Sequence, residues 1–511
     1  MSGLALAVGL VSGYVALGLL DLIYLLTGLF FHGQWALRPW TPLNHSIGAW
    51  VILIPIIGGV LVGLMIHLWE PTLKGHGIPE AMQAVLMDKS IVRARVALLK
   101  PLATALAIGT GGPFGAEGPI IQTGAALGSL FGQKLGLSAY DRRVLLAAGA
   151  GGGMAATFMA PLAGIMVAVE LILFEFRARS FVPVAFAAAI ADAIAVHYRG
   201  RAPMFPAPIF QLASMHELWL FGLLGLICGL VGWGMTEALF WLDNLFDKLP
   251  LRPLAVWAPT LGALFLGIIG YFFPQVFGTG YDTIRLILNA HLAAAALLRT
   301  SAAKFWALVI SLGSGTTGGV FAPSLVIGGG VGAAFGLGWR ALLPHAALSP
   351  PAFYALCAMA AVFGAIARAP FTAIVFLFEL SHDPASVLPL IVCVMAADGL
   401  MRLLSPDSMM TGKLAKRGLV VTQDYVAPQF ALWTTEAGEI MQPVSPLPGE
   451  ALPVKFHDSL VSVAHRMIEQ HRDYAVVLDD GDPPQPIGVI RIADILALQE
   501  ERLKRHEPHR G

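Results

Sequence analysis

From residue 4 to about residue 404 this chain passes from one apolar stretch to the next, and few of those stretches make a plain membrane span. The first, "LALAVGLVSGYVALGLLDLIYLLTGLFF", is followed by runs at about 49–69, 96–109, 119–136, 143–175, 181–196, 216–245, 254–275, 303–312, 322–343, 352–380 and 386–404. Crossing roughly 30 Å of hydrocarbon takes about twenty apolar residues in a helix. Several runs fall short of that, or are interrupted by Gly and Pro. A simple bundle would give cleaner spans. Broken, uneven helices suit transporters and channels, where irregular backbone is tolerated because it lines a cavity. Composition agrees: 57% of the residues are hydrophobic and 13% charged, against about a quarter charged in soluble domains. The expected fold class is an all-α polytopic membrane protein.

The opening stretch is too long for the apolar core of a signal peptide, and no small-residue cleavage site follows it, so it reads as a first membrane helix. Basic residues cluster at Lys89, Arg93, Arg95 and Lys100, which marks a cytoplasmic loop. The loop at 32–48 carries only Arg38 and reads as the outer side, so the N-terminus is expected in the cytoplasm. After about residue 418 the composition turns polar. Residues 419–511 are expected to form a small α/β cytoplasmic domain, in which "SLVSVAHRMIEQH" has helical spacing, while "DYAVVLDD" and "PIGVIRIADILAL" read as strand, turn, strand and helix. Lys+Arg and Asp+Glu number 32 each, a balance that points to no nucleic-acid partner. Cys228, Cys357 and Cys393 all lie in apolar stretches and read as packing thiols.

The chain also repeats itself. Setting "GGPFGAEGPIIQTGAALGSLFG" (111–132) against "GTTGGVFAPSLVIGGGVGAAFG" (315–336) aligns Gly111 with Gly315, Gly115 with Gly319, Pro119 with Pro323, Gly124 with Gly328 and Gly128 with Gly332, at 323 − 119 = 204 residues. A second match, "APLAGIMVAVEL" (160–171) against "APFTAIVFLFEL" (369–380), follows in the same order at 370 − 161 = 209. The physical reading is a duplicated bundle whose halves meet near the membrane midplane through Gly/Pro-broken helices.

Each first block ends its short run of glycines in a proline just before an apolar helix. Proline suits the first helical turn, where its missing N–H would be unbonded anyway. A helix N-terminus carries about half a positive charge and several free N–H donors. Two such ends pointing inward would hold an anion without a full positive charge, weakly enough to release it. The bland alternative is that the glycines only permit close helix packing. A third segment, "GHGIPE" (75–80), has the same layout, with His76 between Gly75 and Gly77 and Pro79 at a helix start.

"GHGIP" (75–79), "GAEGP" (115–119) and "GVFAP" (319–323), in this order, resemble the CLC family of chloride channels and proton-coupled chloride transporters, whose usual forms are GSGIP, GREGP and GxFxP. "FMAPLAGIMVAVE" (158–170) and "SPDSMMTGKLAKRG" (405–418) also match in place and order. The resemblance covers about residues 1–418. It implies an inverted repeat of many tilted helices, with halves at roughly 30–200 and 215–418. It also implies a homodimer with a separate pore in each subunit. By position, Glu117 is similar to the family's gating glutamate, a carboxylate that competes with the anion and swings away when protonated. The amides of Ala116, Glu117 and Gly118 would line an outer anion site; His76, Gly77, Val320 and Phe321 would belong to a central one. A lone carboxylate among apolar helices is costly and proton-sensitive, which fits that role.

The departures from the family pattern are equally specific. His76 stands where a serine hydroxyl is usual, and an imidazole both donates N–H and gains charge near neutral pH. Met410 stands where the family has its pore tyrosine, and a thioether cannot donate an O–H to an anion. The internal glutamate of proton-coupled members falls on Leu171, as in members that behave as channels. Glu170, one residue earlier, has a repeat mate in Glu379, which favours a structural role over a proton pathway through Glu117 and Glu170. Pro119 keeps the chloride-type motif rather than that of fluoride exporters.

The tail resembles one CBS motif within about 440–500. Such motifs work in pairs that can bind adenine nucleotides; with one visible, a structural or dimerising tail is the reading and nucleotide binding the alternative. No HExxH, CxxC or GxSxG stands in a usable context, so no enzyme, metal site or other cofactor is expected. The expectation is passage of a monovalent anion across a lipid membrane. Chloride is the family default, and nitrate or bicarbonate are the alternatives. Proton-coupled exchange and uncoupled conduction both remain open.

Overall fold

Proline and glycine decide where the helices of this protein begin and how closely they approach. The computed structural model describes the chain apart from residues 203, 207, 209, 211, 249–255, 290–291, 416–436, 443–450, 480, 482–483 and 505–511. Its first half runs α1 (Ser2–His32), α2 (Leu53–Leu68), α3 (Ile78–Leu86), α4 (Ala94–Gly109), α5 (Glu117–Lys134), α6 (Ala139–Phe158), α7 (Pro161–Val167) and α8 (Ala178–Arg199). The second half repeats the order as α9 (Leu218–Lys248), α10 (Trp257–Phe272), α11 (Tyr281–Asn289), α12 (Ala294–Gly313), α13 (Phe321–Leu342), α14 (Pro351–Ala367), α15 (Pro370–Ser381) and α16 (Val387–Leu404), before a short α17 (Gly412–Ala415). Among the described residues, seven helices are long and apolar enough to cross a membrane. The others are short or broken, as the interrupted runs require.

The halves match element by element. α1 and α9 are both 31 residues long, α2 and α10 both 16, and α3 and α11 both 9. The last pair adds a third repeated block to the two legible in sequence. Gly75 and Gly77 before α3 correspond to Gly278 and Gly280 before α11, and all four have positive φ (100°, 93°, 66° and 82°), which glycine alone adopts cheaply.

The repeated glycines also have a packing reason. On α5, Cβ atoms built at Gly124 and Gly128 would lie 2.0 and 1.9 Å from the carbonyl oxygens of Gly149 and Leu145 on α6. On α13, Cβ atoms at Gly328 and Gly332 would lie 2.4 Å from those of Ala358 and Tyr354 on α14. The small-residue packing that sequence offered as a bland alternative therefore operates in both halves, within the helices whose N-termini form the site.

Three further contacts fix the two-fold relation. Gly115 and Gly319 exchange backbone hydrogen bonds (2.9 and 2.8 Å) as an antiparallel pair. Glu170 accepts from the N–H groups of Phe371 (3.3 Å) and Thr372 (2.7 Å) at the start of α15. Glu379, on α15, accepts from Leu162 (2.9 Å) and Ala163 (2.8 Å) at the start of α7. Each glutamate thus caps the other's helix, where a carboxylate meets both free donors and the positive end of the dipole. Glu170 and Leu171 lie in a π-helical turn, 168–173, that continues α7.

The expected 418/419 domain junction lies outside the described residues; beyond it the tail comprises α18 (Ala437–Ile440), β1 (Leu452–Lys455), α19 (Leu460–Glu469), β2 (Tyr474–Leu478), β3 (Pro486–Arg491) and α20 (Ile492–Lys504). β1 pairs parallel with β2, and β2 antiparallel with β3. Val454, Leu460, Met467, Val477, Ile490 and Ile495 form its own core. The two helices and two strands expected from the sequence are present, together with β1, a four-residue strand with a proline in it.

Candidate functional site

Two buried helix N-termini, those of α5 and α13, meet at the Gly115–Gly319 pair. Helical bonding begins at Ile120 N–H to Ala116 C=O (3.0 Å) in α5 and Ser324 N–H to Val320 C=O (3.1 Å) in α13. Residues before those points have N–H groups with no helical acceptor. Gly115 and Gly319 satisfy each other, and prolines 119 and 323 have no N–H. Among the described residues, the N–H groups of Ala116, Gly118, Val320 and Phe321 donate to no protein acceptor. Buried backbone donors nearly always have a partner, so this cluster is an exception that fits an anion.

The third segment closes the site from the side. A Cβ on Gly118 would sit 1.9 Å from the carbonyl oxygen of His76, and one on Gly77 would sit 2.5 Å from that of Gly118. The Gly75 N–H donates to Thr316 C=O (2.9 Å). The three motif loops, distant in sequence, are therefore in backbone contact. The N–H of Gly77 is occupied, donating to its own helix's Glu80 Oε2 (2.9 Å). His76 is buried, 1% exposed. Met410 is also buried, with its N–H on Ser408 Oγ (3.2 Å) and the neighbouring Met409 N–H on Ile366 C=O (3.1 Å). The following α17 packs on α3, on the His76 side of the site.

Glu117 is fully buried, and its carboxylate folds back into the space that only a glycine leaves open. A Cβ on Gly115 would be 1.6 Å from Glu117 Oε2, and one on Gly319 would be 3.1 Å from it. Oε1 accepts a hydrogen bond from the Tyr281 hydroxyl (3.1 Å). The N–H groups of Glu117 itself and of Ala322 face the carboxylate, and the Lys304 amine on α12 interacts with it electrostatically. Oε2 has no hydrogen-bond partner among the described residues. Behind the site Phe321 packs against Phe363 and Phe376, with ring centroids 3.9 and 4.4 Å away, and Phe158 closes the group at 5.7 Å.

Two residues here were not singled out in sequence. Tyr281 opens α11, and its signal was "GTGY" (278–281) standing against "GHGI" (75–78). Lys304 is buried on α12 and donates to the carbonyls of Val276 and Gly278 (2.8 Å each). Lys100, at the matching place on α4, donates to those of Leu73 (2.9 Å) and Gly75 (3.0 Å). Each lysine ties down the turn that leads into a motif loop. A cavity of about 560 Å³ opens on the side of the 32–48 loop; Arg38, Arg199, Arg285, Asp21, Asp282 and Tyr281 line it. Among the described residues no three His, Cys, Asp or Glu side chains converge as a metal site requires.

A two-fold bundle of broken helices whose N-termini converge on one buried carboxylate defines a membrane transport fold. Residues 58–402 match the family model described as Voltage gated chloride channel, and the chain belongs to that family, the CLC family. It is 32% identical over 381 residues to chloride channel protein CLC-f of Arabidopsis thaliana, covering 70% of this chain and 48% of the plant protein. It is 30% identical to the putative chloride channel protein ClcB-like of Ralstonia nicotianae, covering 67% of this chain and 80% of that one. It is 32% identical to the H(+)/Cl(-) exchange transporter ClcA of Vibrio vulnificus, covering 70% and 77%. The matched stretch thus spans about half the length of the plant relative. Among solved structures, a slow cyanobacterial Cl-/H+ antiporter superimposes with TM-score 0.73 at 27% identity, covering 81% of this chain and 97% of that one. A eukaryotic CLC transporter shares the fold, with TM-score 0.68 at 19% identity over 96% and 97% of the two chains.

Proposed function

We propose that this protein moves a monovalent anion, chloride by family default, across a lipid membrane, and that Glu117 is its gate. The observation that carries the reading is the position of the Glu117 carboxylate: it lies between Gly115 and Gly319, at the paired helix N-termini where an anion would bind. A negative group there is a competitor for the anion. Protonation removes its charge, weakens its hold on the helix dipoles and frees the place. Relatives named both as channels and as H(+)/Cl(-) exchange transporters support anion passage and leave the coupling to this chain's own residues.

Those residues favour weak or absent proton coupling. The position where proton-coupled members of the family carry an internal glutamate, one residue after Glu170, holds Leu171, which carries no proton, and both carboxylate oxygens of Glu170 are engaged by the α15 N-terminus. The alternative specificity, nitrate or bicarbonate, rests on His76 and Met410 replacing hydroxyl donors. The wider proposal is a homodimer with cytoplasmic termini and a CBS-like tail that serves assembly. The test is purified protein in liposomes, with anion efflux and proton movement recorded together and competing anions added in turn. Anion efflux through the wild type, lost to no hydrolytic activity and altered in Glu117→Gln, is the expected result; no efflux under any gradient would refute transport.

A further inference from the structure

In a two-fold scaffold, a pair of residues that breaks the symmetry at both of its members deserves a functional explanation. Glu117, first residue of α5, has Phe321 as its mate at the start of α13. Tyr281, first residue of α11, has Ile78 as its mate at the start of α3. One arm of the repeat therefore pairs a carboxylate with a phenol, and the other places two apolar side chains in the matching positions. We propose that Tyr281 is the positioning residue that latches the gate: its hydroxyl holds the Glu117 carboxylate in the anion's place and so sets how readily the path opens. This rests on the reading of Glu117 as the gate.

Geometry supplies the rest of the argument. Oε1 of Glu117 accepts from the Tyr281 hydroxyl, the one side chain that donates to it among the described residues. The turn before Tyr281 is held rigid from below, because Lys304 donates to the carbonyls of Val276 and Gly278. The Tyr281 ring is wedged between Phe158 (centroids 6.2 Å) and Phe205 (5.6 Å), so its hydroxyl has little choice of direction. Tyr281 lines the outer cavity and Glu117 does not. An anion entering from that cavity meets the tyrosine before the carboxylate, and the hydroxyl that releases Glu117 becomes a donor for the arriving anion. The charged and titratable groups facing the pair are Lys304 from α12 on the Glu117 side, and Tyr24 from α1 and Arg199 from α8 on the Tyr281 side.

Tyr281→Phe tests the latch, since it removes the hydroxyl and keeps the ring. A hydrogen bond to a charged group is worth about a factor of ten or more in an equilibrium, so anion efflux from liposomes at neutral pH should rise roughly tenfold. The onset of efflux on acidification should move about one pH unit toward the alkaline side. In the Glu117→Gln background the same change should add nothing. An unaltered profile in Tyr281→Phe, beside an altered one in Glu117→Gln, would overturn the latch and leave the gate standing. An equal rise in both backgrounds would also overturn it, since the tyrosine would then act elsewhere. A wild-type pH profile in Glu117→Gln would refute the gate itself. Should the phenylalanine variant fail to fold, replacing Tyr281 by 3-fluorotyrosine, a stronger donor, should move the onset the opposite way, and no movement would count against the latch.

Discussion

Gly115 and Gly319 exchange both of their backbone hydrogen bonds, and the Glu117 carboxylate lies over the pair. The two-fold relation of the halves therefore passes beside the carboxylate of the site. This explains why Gly115 has to be a glycine although it sits in no strained conformation. Its missing side chain is the seat of the carboxylate.

Gly115→Ala should expel Glu117 from that seat, because the new methyl would lie 1.6 Å from Oε2 and the carboxylate is the flexible partner. The expected outcome is raised anion efflux at neutral pH with little pH dependence, from protein that still folds. Gly118→Ala differs, since its methyl would meet the His76 backbone carbonyl at 1.9 Å. That variant should lose both thermal stability and efflux. Melting temperature in detergent and efflux from liposomes, measured on both, distinguish the two.

Glu170→Gln and Glu379→Gln should behave as a matched pair. Each replaces one acceptor oxygen by an amide N–H₂ that faces a backbone donor, at a cost of about 1–3 kcal/mol. Both should melt earlier by similar amounts, with the pH profile of efflux unchanged per folded molecule. A Glu170→Gln variant that melts normally but alters proton movement would instead assign Glu170 to a proton path.

The buried lysines give a second matched pair with one asymmetry. Lys100→Met and Lys304→Met each strand two carbonyl oxygens and should destabilise by about 2–4 kcal/mol. Lys304 also faces Glu117. Its loss should weaken the hold on the charged gate and extend efflux to higher pH, whereas Lys100→Met should leave the onset of efflux where it is. Denaturation curves and a pH series of efflux check both statements.

Much of this was legible in sequence, for identifiable reasons. Interrupted apolar runs exposed the broken membrane helices, and Gly/Pro spacing exposed two repeated blocks, because close packing and helix starts both need fixed residue types. The third block, 75–77 against 278–280, was hidden: its match rests on glycines alone, while His76 and Ile78 have Thr279 and Tyr281 as mates. The Tyr281–Glu117 bond joins residues 164 positions apart, and no local pattern announces a contact of that kind. The lysine ties were equally silent: Lys100 reads as the end of the basic loop cluster, although it is buried within α4, and Lys304 is not singled out at all until its carbonyl acceptors are seen. Glu379 was recognisable as the mate of Glu170, but only the fold reveals that each caps the other's helix.

The central claim is that protonation of Glu117 opens the path. The most direct measurement is anion efflux from liposomes between pH 4.5 and 7.5 for the wild type and Glu117→Gln, with the proton flux recorded alongside. A glutamine carries no charge to compete with the anion and no proton to exchange. Wild-type efflux should rise as the pH falls, and Glu117→Gln should give high efflux that is flat across the range, with no proton movement. A Glu117→Gln protein that keeps the wild-type dependence on pH would contradict the account.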